Sequence, residues 1–174
     1  MKYFAVCILG VLAVFVGYIF SKKYSKRAKF FQTLVAICHK FEIEICYSRE
    51  RLKNLFLSLE DKQKNSLFGI DKNFCDFLEN KVSLEKETLF NGINFLKENE
   101  KDVIFLFFKS LGRSDVQSQS KEIKQFQKSF EEFSSLAVNE NKKYGTLSIK
   151  MGIVCALLIA VLILWGANEH WNYF

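Results

Sequence analysis

Proline is absent from this chain, glycine occurs only eight times in 174 residues, and histidine twice. Without the proline and glycine punctuation that closes hairpins, an all-β organisation is excluded. His39 and His170 cannot build a His-rich metal site or a Ser-His-Asp triad inside one domain, because the second lies in the tail of the chain. A P-loop, a G-x-G-x-x-G fingerprint and a G-x-S-x-G nucleophile elbow are all missing. Cys38, Cys46 and Cys75 sit among apolar neighbours with no C-x-x-C spacing, as small buried hydrophobes in a reducing compartment do. Cys38 and His39 are adjacent, and adjacent helical residues point about 100° apart rather than at each other. The expectation is therefore a protein with no catalytic residues, no metal and no cofactor.

Charge is the other conspicuous absence. Tyr3–Phe20 and Met151–Ala167 contain no charged residue. An apolar run of roughly 17 to 25 residues crosses a bilayer only as a helix, since hydrocarbon offers no partner for backbone N–H and C=O groups. The first run is longer than the core of a cleaved export signal and is followed by no A-x-A-like site, so it reads as a retained anchor. Trp165, Trp171, Tyr173 and Phe174 lie where an interfacial aromatic belt would sit. The expected organisation is an N-terminal transmembrane helix at 1–21, a helical domain at 22–150, a second transmembrane helix at 151–167 and a non-cytosolic tail at 168–174.

Lys22, Lys23, Lys26, Arg27 and Lys29 follow the first run and Lys142, Lys143 and Lys150 precede the second, whereas the outer flanks hold only Lys2 and Glu169. Positive charge crowded at the inner ends places the middle domain on the cytosolic side. Setting aside Lys2, Glu169 and these eight cations, the 25 Lys+Arg fall to 16 and the 19 Asp+Glu to 18, so the domain itself is near neutral. The net charge of +6 is thus a membrane-orientation device that also attracts anionic lipid headgroups, and a nucleic-acid partner is not expected.

The middle of about 130 residues suffices for one domain with one core. Phe30, Leu34, Ile37, Phe41 and Ile45 step by 3 or 4 and form one stripe of a helix that continues out of the first span. Leu52, Leu55, Phe56 and Leu59 repeat the pattern, and Glu60–Ser66 with Gly69 reads as a connection. A short helix is expected over Asp71–Asn80, and another over Leu89, Ile93 and Leu96 with Ser83 as its N-cap. Val103–Phe108 reads as the most enclosed helix, capped by Asp102 and stopped by Gly112, with Phe105 and Phe107 buried. A long helix carrying Ile123, Phe126, Phe130, Phe133 and Ala137 starts at Ser114, whose spacing to Gln117 is that of a capping box, and Gly145 marks a bend before the second span. Gly10, Ala13 and Gly17, and Gly152, Ala156 and Ala160, put small residues on one face of each span, for packing on each other or on a partner. The fold class is all-α: an antiparallel bundle of about five or six helices flanked by two transmembrane helices. Glu42 with Glu44 and Glu131 with Glu132 do not converge on a helix and read as solvated faces, Glu42 being the better candidate for a contact.

The stretch Phe107–Ile123, with Leu111-Gly112, Asp115 three residues past the glycine and the following glutamines, resembles the signature region of the stage III sporulation protein AB family. Phe41-Glu42-Ile43-Glu44-Ile45-Cys46-Tyr47 is similar to that family's L-E-x-E-I-x-Y segment, although the proline-containing turn that follows it in the family has no counterpart in Ser48–Leu52. Length and terminal-span layout agree as well. The resemblance implies a non-enzymatic membrane platform component of the channel complex that joins mother cell and forespore. It also implies a cytosolic domain similar to the type II secretion inner-membrane platform. Implied partners are the other stage III sporulation channel proteins, including the secretion-type ATPase and ring components, together with membrane lipids, and no small-molecule substrate. Gly112, Ser114, Asp115, Gln117, Gln119 and Glu42 are the candidate structural or partner-contact residues. A two-span helical sensor or a generic membrane scaffold is the alternative that the layout alone would allow.

Overall fold

The computed structural model describes residues 2–43, 49–80, 84–111 and 116–169, and these are helical with no strand. In chain order the elements are α1 (Lys2–Ile43), α2 (Arg49–Leu57), α3 (Asp61–Leu67), α4 (Ile70–Asn80), α5 (Lys86–Leu89), α6 (Glu98–Ser110), α7 (Val116–Glu140), a π turn at Asn141–Gly145, and α8 (Thr146–Glu169). They divide into two compact units, one of Met1–Ser25 with Val138–Phe174 and the other Lys26–Ala137, and α1 and α7 contribute residues to both.

The first unit is an antiparallel helix pair. Tyr24 lies against Tyr144 with ring centroids 5.8 Å apart, and Gly17 and Gly10 follow at the levels of Gly152 and Ala156. A Cβ added to Gly17 would stand 2.5 Å from the Ser148 carbonyl oxygen, and one added to Gly152 would stand 3.0 Å from that of Ala13. The small residues of the two apolar stretches are thus used against each other, because only glycine lets the two backbones come this close. Gly145 ends the π turn rather than a break in the helix, and the Ser148 hydroxyl donates to the Tyr144 carbonyl at 2.7 Å. Both apolar helices are long and apolar enough to cross a membrane, and 6% of each apolar window is buried, so neither is an enclosed core helix.

The second unit, Lys26–Ala137, is built around phenylalanine. Phe30, Leu34, Ile37 and Phe41 of α1 are buried in the register that their spacing dictates, and Ile123, Phe130 and Ala137 of α7 answer them. Phe31 meets Phe133 at 5.4 Å, while His39 lies beside Gln127, so α1 and α7 run antiparallel here. Leu52, Leu55 and Phe56 of α2 and Phe74 and Leu78 of α4 close the bundle, with Leu59 buried just beyond the end of α2. Phe107 touches Phe41, Phe126 and Phe130, and its neighbour Phe108 touches Phe56 and Phe74. Consecutive helical residues diverge by about 100°, so one step of α6 serves two walls of the core.

Several local expectations are corrected. Glu60–Ser66 is largely helix, not a connection: the Glu60 N–H donates to Gln63 Oε1 at 3.3 Å, Lys64 Nζ reaches the Leu57 carbonyl at 2.7 Å, and buried Leu67 anchors the far end. The stop follows in Phe68 and Gly69, with φ of 54° and 94°. A non-glycine left-handed residue costs about 1 to 2 kcal/mol, and the Phe68 ring is held against Phe95 at 4.8 Å. The helix expected over Leu89–Leu96 is only the single turn of α5, since Gly92 takes a φ of 76° and turns the chain away. Ile93, Phe95 and Leu96 are buried all the same, from an irregular segment, and Asn73 Nδ2 donates to the Thr88 and Leu89 carbonyls. Asp102 does not cap α6, which starts four residues earlier at Glu98; its carboxylate accepts from Lys86 at 2.6 Å. Ser83, Gly112 and Ser114, the other expected caps and stop, lie outside the described residues, as does Ile45.

Phe107 is fully buried, whereas Phe105 is half-buried with the Lys109 ammonium over its ring. We expect Phe107→Ala to cost about 3 to 5 kcal/mol in urea unfolding of the full-length protein and Phe105→Ala less than half of that. Equal losses would show that α6 does not present the face described.

Candidate functional site

Among the described residues of the Lys26–Ala137 unit, an ion pair that the sequence did not announce is enclosed in the core. Arg27 and Glu100, 73 positions apart, are 4% and 1% exposed. Arg27 Nε donates to Oε1 and Oε2 of Glu100 at 3.0 and 3.1 Å, and Nη2 donates to Oε1 at 2.5 Å. Glu100 Oε2 also accepts the Lys97 N–H at 2.9 Å, so the carboxylate caps the first turn of α6 while it binds α1. The expectation that Arg27 is one of the lipid-facing cations is therefore corrected. Its guanidinium belongs to the core, and a planar five-donor group fits an enclosed carboxylate where an ammonium would not. The one available signal was Glu100 at the third position of a helix, hidden because the start of α6 was misplaced.

Of the sequence-predicted contact residues, Glu42 lies at the end of α1 and accepts from Lys124 of α7 at 3.1 Å. The pair continues a polar seam in which Gln127 Nε2 lies 3.2 Å from His39 Nε2 and 2.8 Å from Glu131 Oε1. Exposed pairs of this kind contribute little stability, and the seam covers the phenylalanines beneath it. Gln117 is exposed. Gln119 is buried at 1% exposure, and neither its Oε1 nor its Nε2 has a hydrogen-bond partner, as is also true of the buried Glu122 Oε2 one turn on. Gly112, Ser114 and Asp115 lie outside the described residues, as do Glu44 and Cys46.

Neither Cys38 nor Cys75 is activated as a nucleophile. Burial, with a smaller contribution from the Glu131 charge, pushes the Cys38 thiol up to about 12, far from a nucleophile's range. Cys75 is raised to about 11, chiefly by burial and then by Asp71, Asp76 and Glu79. Glu131 and Glu132 are exposed, as expected of a solvated face. At the surface Lys86 is raised first by its hydrogen bond to Asp102, and Glu98 is lowered first by Lys101. Four apolar side chains of the bundle stand out into solvent on four different helices: Ile43, Leu57, Leu106 and Leu136.

The family model for stage III sporulation protein AB matches residues 2–164, which takes in α1, most of α8 and all the elements between them. The chain belongs to this family. A role in sporulation follows. No curated protein and no solved structure is similar enough to the chain to count as a match.

Two measurements test the assignment of these groups. Removing one member of the buried pair, by Arg27→Met or Glu100→Met, is expected to cost about 3 to 5 kcal/mol in equilibrium unfolding, and the double variant should recover most of it. A double variant as unstable as either single one would mean that the pair does not hold α6 to α1 through its charges. Gln119→Leu keeps the volume and deletes two unpaired polar atoms, so stability should rise by about 1 to 3 kcal/mol. A fall would mean that the amide is bonded in solution.

Proposed function

We propose that the protein is a two-pass, non-enzymatic platform subunit of the channel complex between mother cell and forespore. In this reading the pair of apolar helices is embedded in the mother-cell membrane around the forespore, and the Lys26–Ala137 bundle lies in the mother-cell cytosol. Membership of the family across nearly the whole chain is the observation that carries the proposal. Support comes also from the exposure of the two apolar helices, whose side chains need a lipid environment, and from the excess of lysine at their inner ends. The largest buried polar contact of the bundle, Arg27 with Glu100, is spent on holding helices together, which suits a rigid mount better than a reaction centre. On this reading the bundle's outer face docks other channel proteins, the secretion-type ATPase and ring components among them, and Glu42 and the start of α7 are where we place the contact. A two-span sensor fits less well, because the folded unit would then face outward.

Asn54 is exposed on α2 and serves as a reporter of sidedness. In a chain carrying Cys46→Ser, Cys75→Ser and Asn54→Cys, expressed in non-sporulating cells where it lies in the surface membrane, a membrane-impermeant maleimide should label position 54 only after the cells are permeabilised. Buried Cys38, its thiol raised to about 12, stays silent as background. Labelling from outside in intact cells would reverse the orientation and favour the sensor.

A further inference from the structure

The Met1–Ser25 and Val138–Phe174 unit carries an apolar groove of about 620 Å³ along one flank of its helix pair. Cys7, Val11, Val14, Phe15 and Tyr18 form its α1 wall, with Ile149 and Ala156 of α8 opposite. At 1.5 Å per residue, the stretch from Cys7 to Tyr18 is about 16 Å long, short of a hydrocarbon core of about 30 Å, and within the apolar run Tyr3–Phe20 it crosses the middle of the span. A further transmembrane helix would need a groove spanning the whole core, whereas one acyl chain entering from the Tyr18 end needs only this length. The groove also has a charged end. Lys22 follows Tyr18 by one helical turn, is exposed, and its ammonium stands 4.9 Å from the centroid of the Tyr18 ring. Charge complementarity at that mouth selects a negative headgroup.

We propose that this groove is a binding site for one anionic phospholipid of the bilayer, its acyl chain lying along Cys7–Tyr18 and its phosphate on Lys22. The site rests on the reading of the helix pair as membrane-embedded. Lys23 is its internal control, since it has the same charge and depth but projects about 100° away around the helix.

The test is native mass spectrometry of the full-length protein released from nanodiscs of equal phosphatidylglycerol and phosphatidylcholine. The wild type should retain phosphatidylglycerol preferentially. Lys22→Ala should lower that preference about fivefold, the factor one lysine near an anionic surface is worth, and Lys23→Ala should leave it nearly unchanged. Val14→Trp, which fills the groove without touching charge, should lower retention of both lipids. Equal losses for Lys22→Ala and Lys23→Ala, or full retention in Val14→Trp, would overturn the site. Carbonate extraction of membranes from the expressing cells separates the two failures. Protein that stays in the pellet but shows no lipid preference sinks the site alone. Protein released into the supernatant sinks the membrane reading, and the site with it.

Discussion

Two adjacent phenylalanines on α6 set the geometry on which the Lys26–Ala137 bundle depends. Phe107 faces α1 and α7, and Phe108 faces α2 and α4, so the helix can satisfy both only from the middle of the unit. Each aromatic pair adds perhaps ~1 kcal/mol beyond its area, which is small singly. The constraint is stronger than the sum, because rotating α6 to improve one set of contacts loses the other. α6 has 13 residues, and its wholly apolar stretch is explained by this demand from several sides.

The buried ion pair fixes what the rings leave free. Rings tolerate sliding along a helix axis, while a guanidinium held to one carboxylate through both Nε and Nη2 does not. Burying both charges brings little net stability against an apolar alternative, and its structural effect is to set the register of α6 on α1. Because Glu100 also accepts the Lys97 N–H, the start of α6 and its position along α1 are decided by one carboxylate. A register fixed in this way holds the outer surface of the bundle constant.

What was legible in the sequence was whatever repeats. The α1 stripe from Phe30 to Phe41 and the α2 stripe bury every residue their spacing selects, and the α4 and α7 stripes bury theirs except Phe77, Phe126 and Phe133, which are half-buried, because a long amphipathic helix repeats its signal every turn. Errors collected where one residue decides. Spacing reads Glu60–Ser66 with Gly69 as a loop, though Asp61–Leu67 is helix and the left-handed pair Phe68 and Gly69 ends it, and it reads Leu89, Ile93 and Leu96 as a stripe, though Gly92 breaks it at a positive φ. Burial alone is blind to that difference: the irregular segment after Gly92 buries its apolar residues as fully as a helix would. Arg27 was misread because four lysines surround it in the sequence, and nothing local separates an enclosed guanidinium from solvated ammonium groups. Its partner lies 73 residues away, beyond the reach of any periodicity. At the candidate site, the placement of Glu42 on α1 is legible, while the burial of Gln119 is hidden because a stripe counted from apolar residues starts at Ile123, one turn later on the same face.

The apolar helix pair obeys a different rule from the bundle, and the difference explains its small residues. In water, large side chains drive helices together by leaving solvent. In lipid that drive is missing, and association rests on close contact between backbones. Gly17 and Gly152 are buried in the pair, and at Gly17 a methyl group would meet the Ser148 carbonyl oxygen at 2.5 Å, so the approach is set by the absence of side chains. Two consequences follow from one cause. The seam is already filled from within the chain, and no third helix is needed to complete it. Helices this close also leave their larger residues, such as Phe15 and Tyr18, standing out on the flanks, where they wall a groove whose Tyr18 end lies beside a lysine.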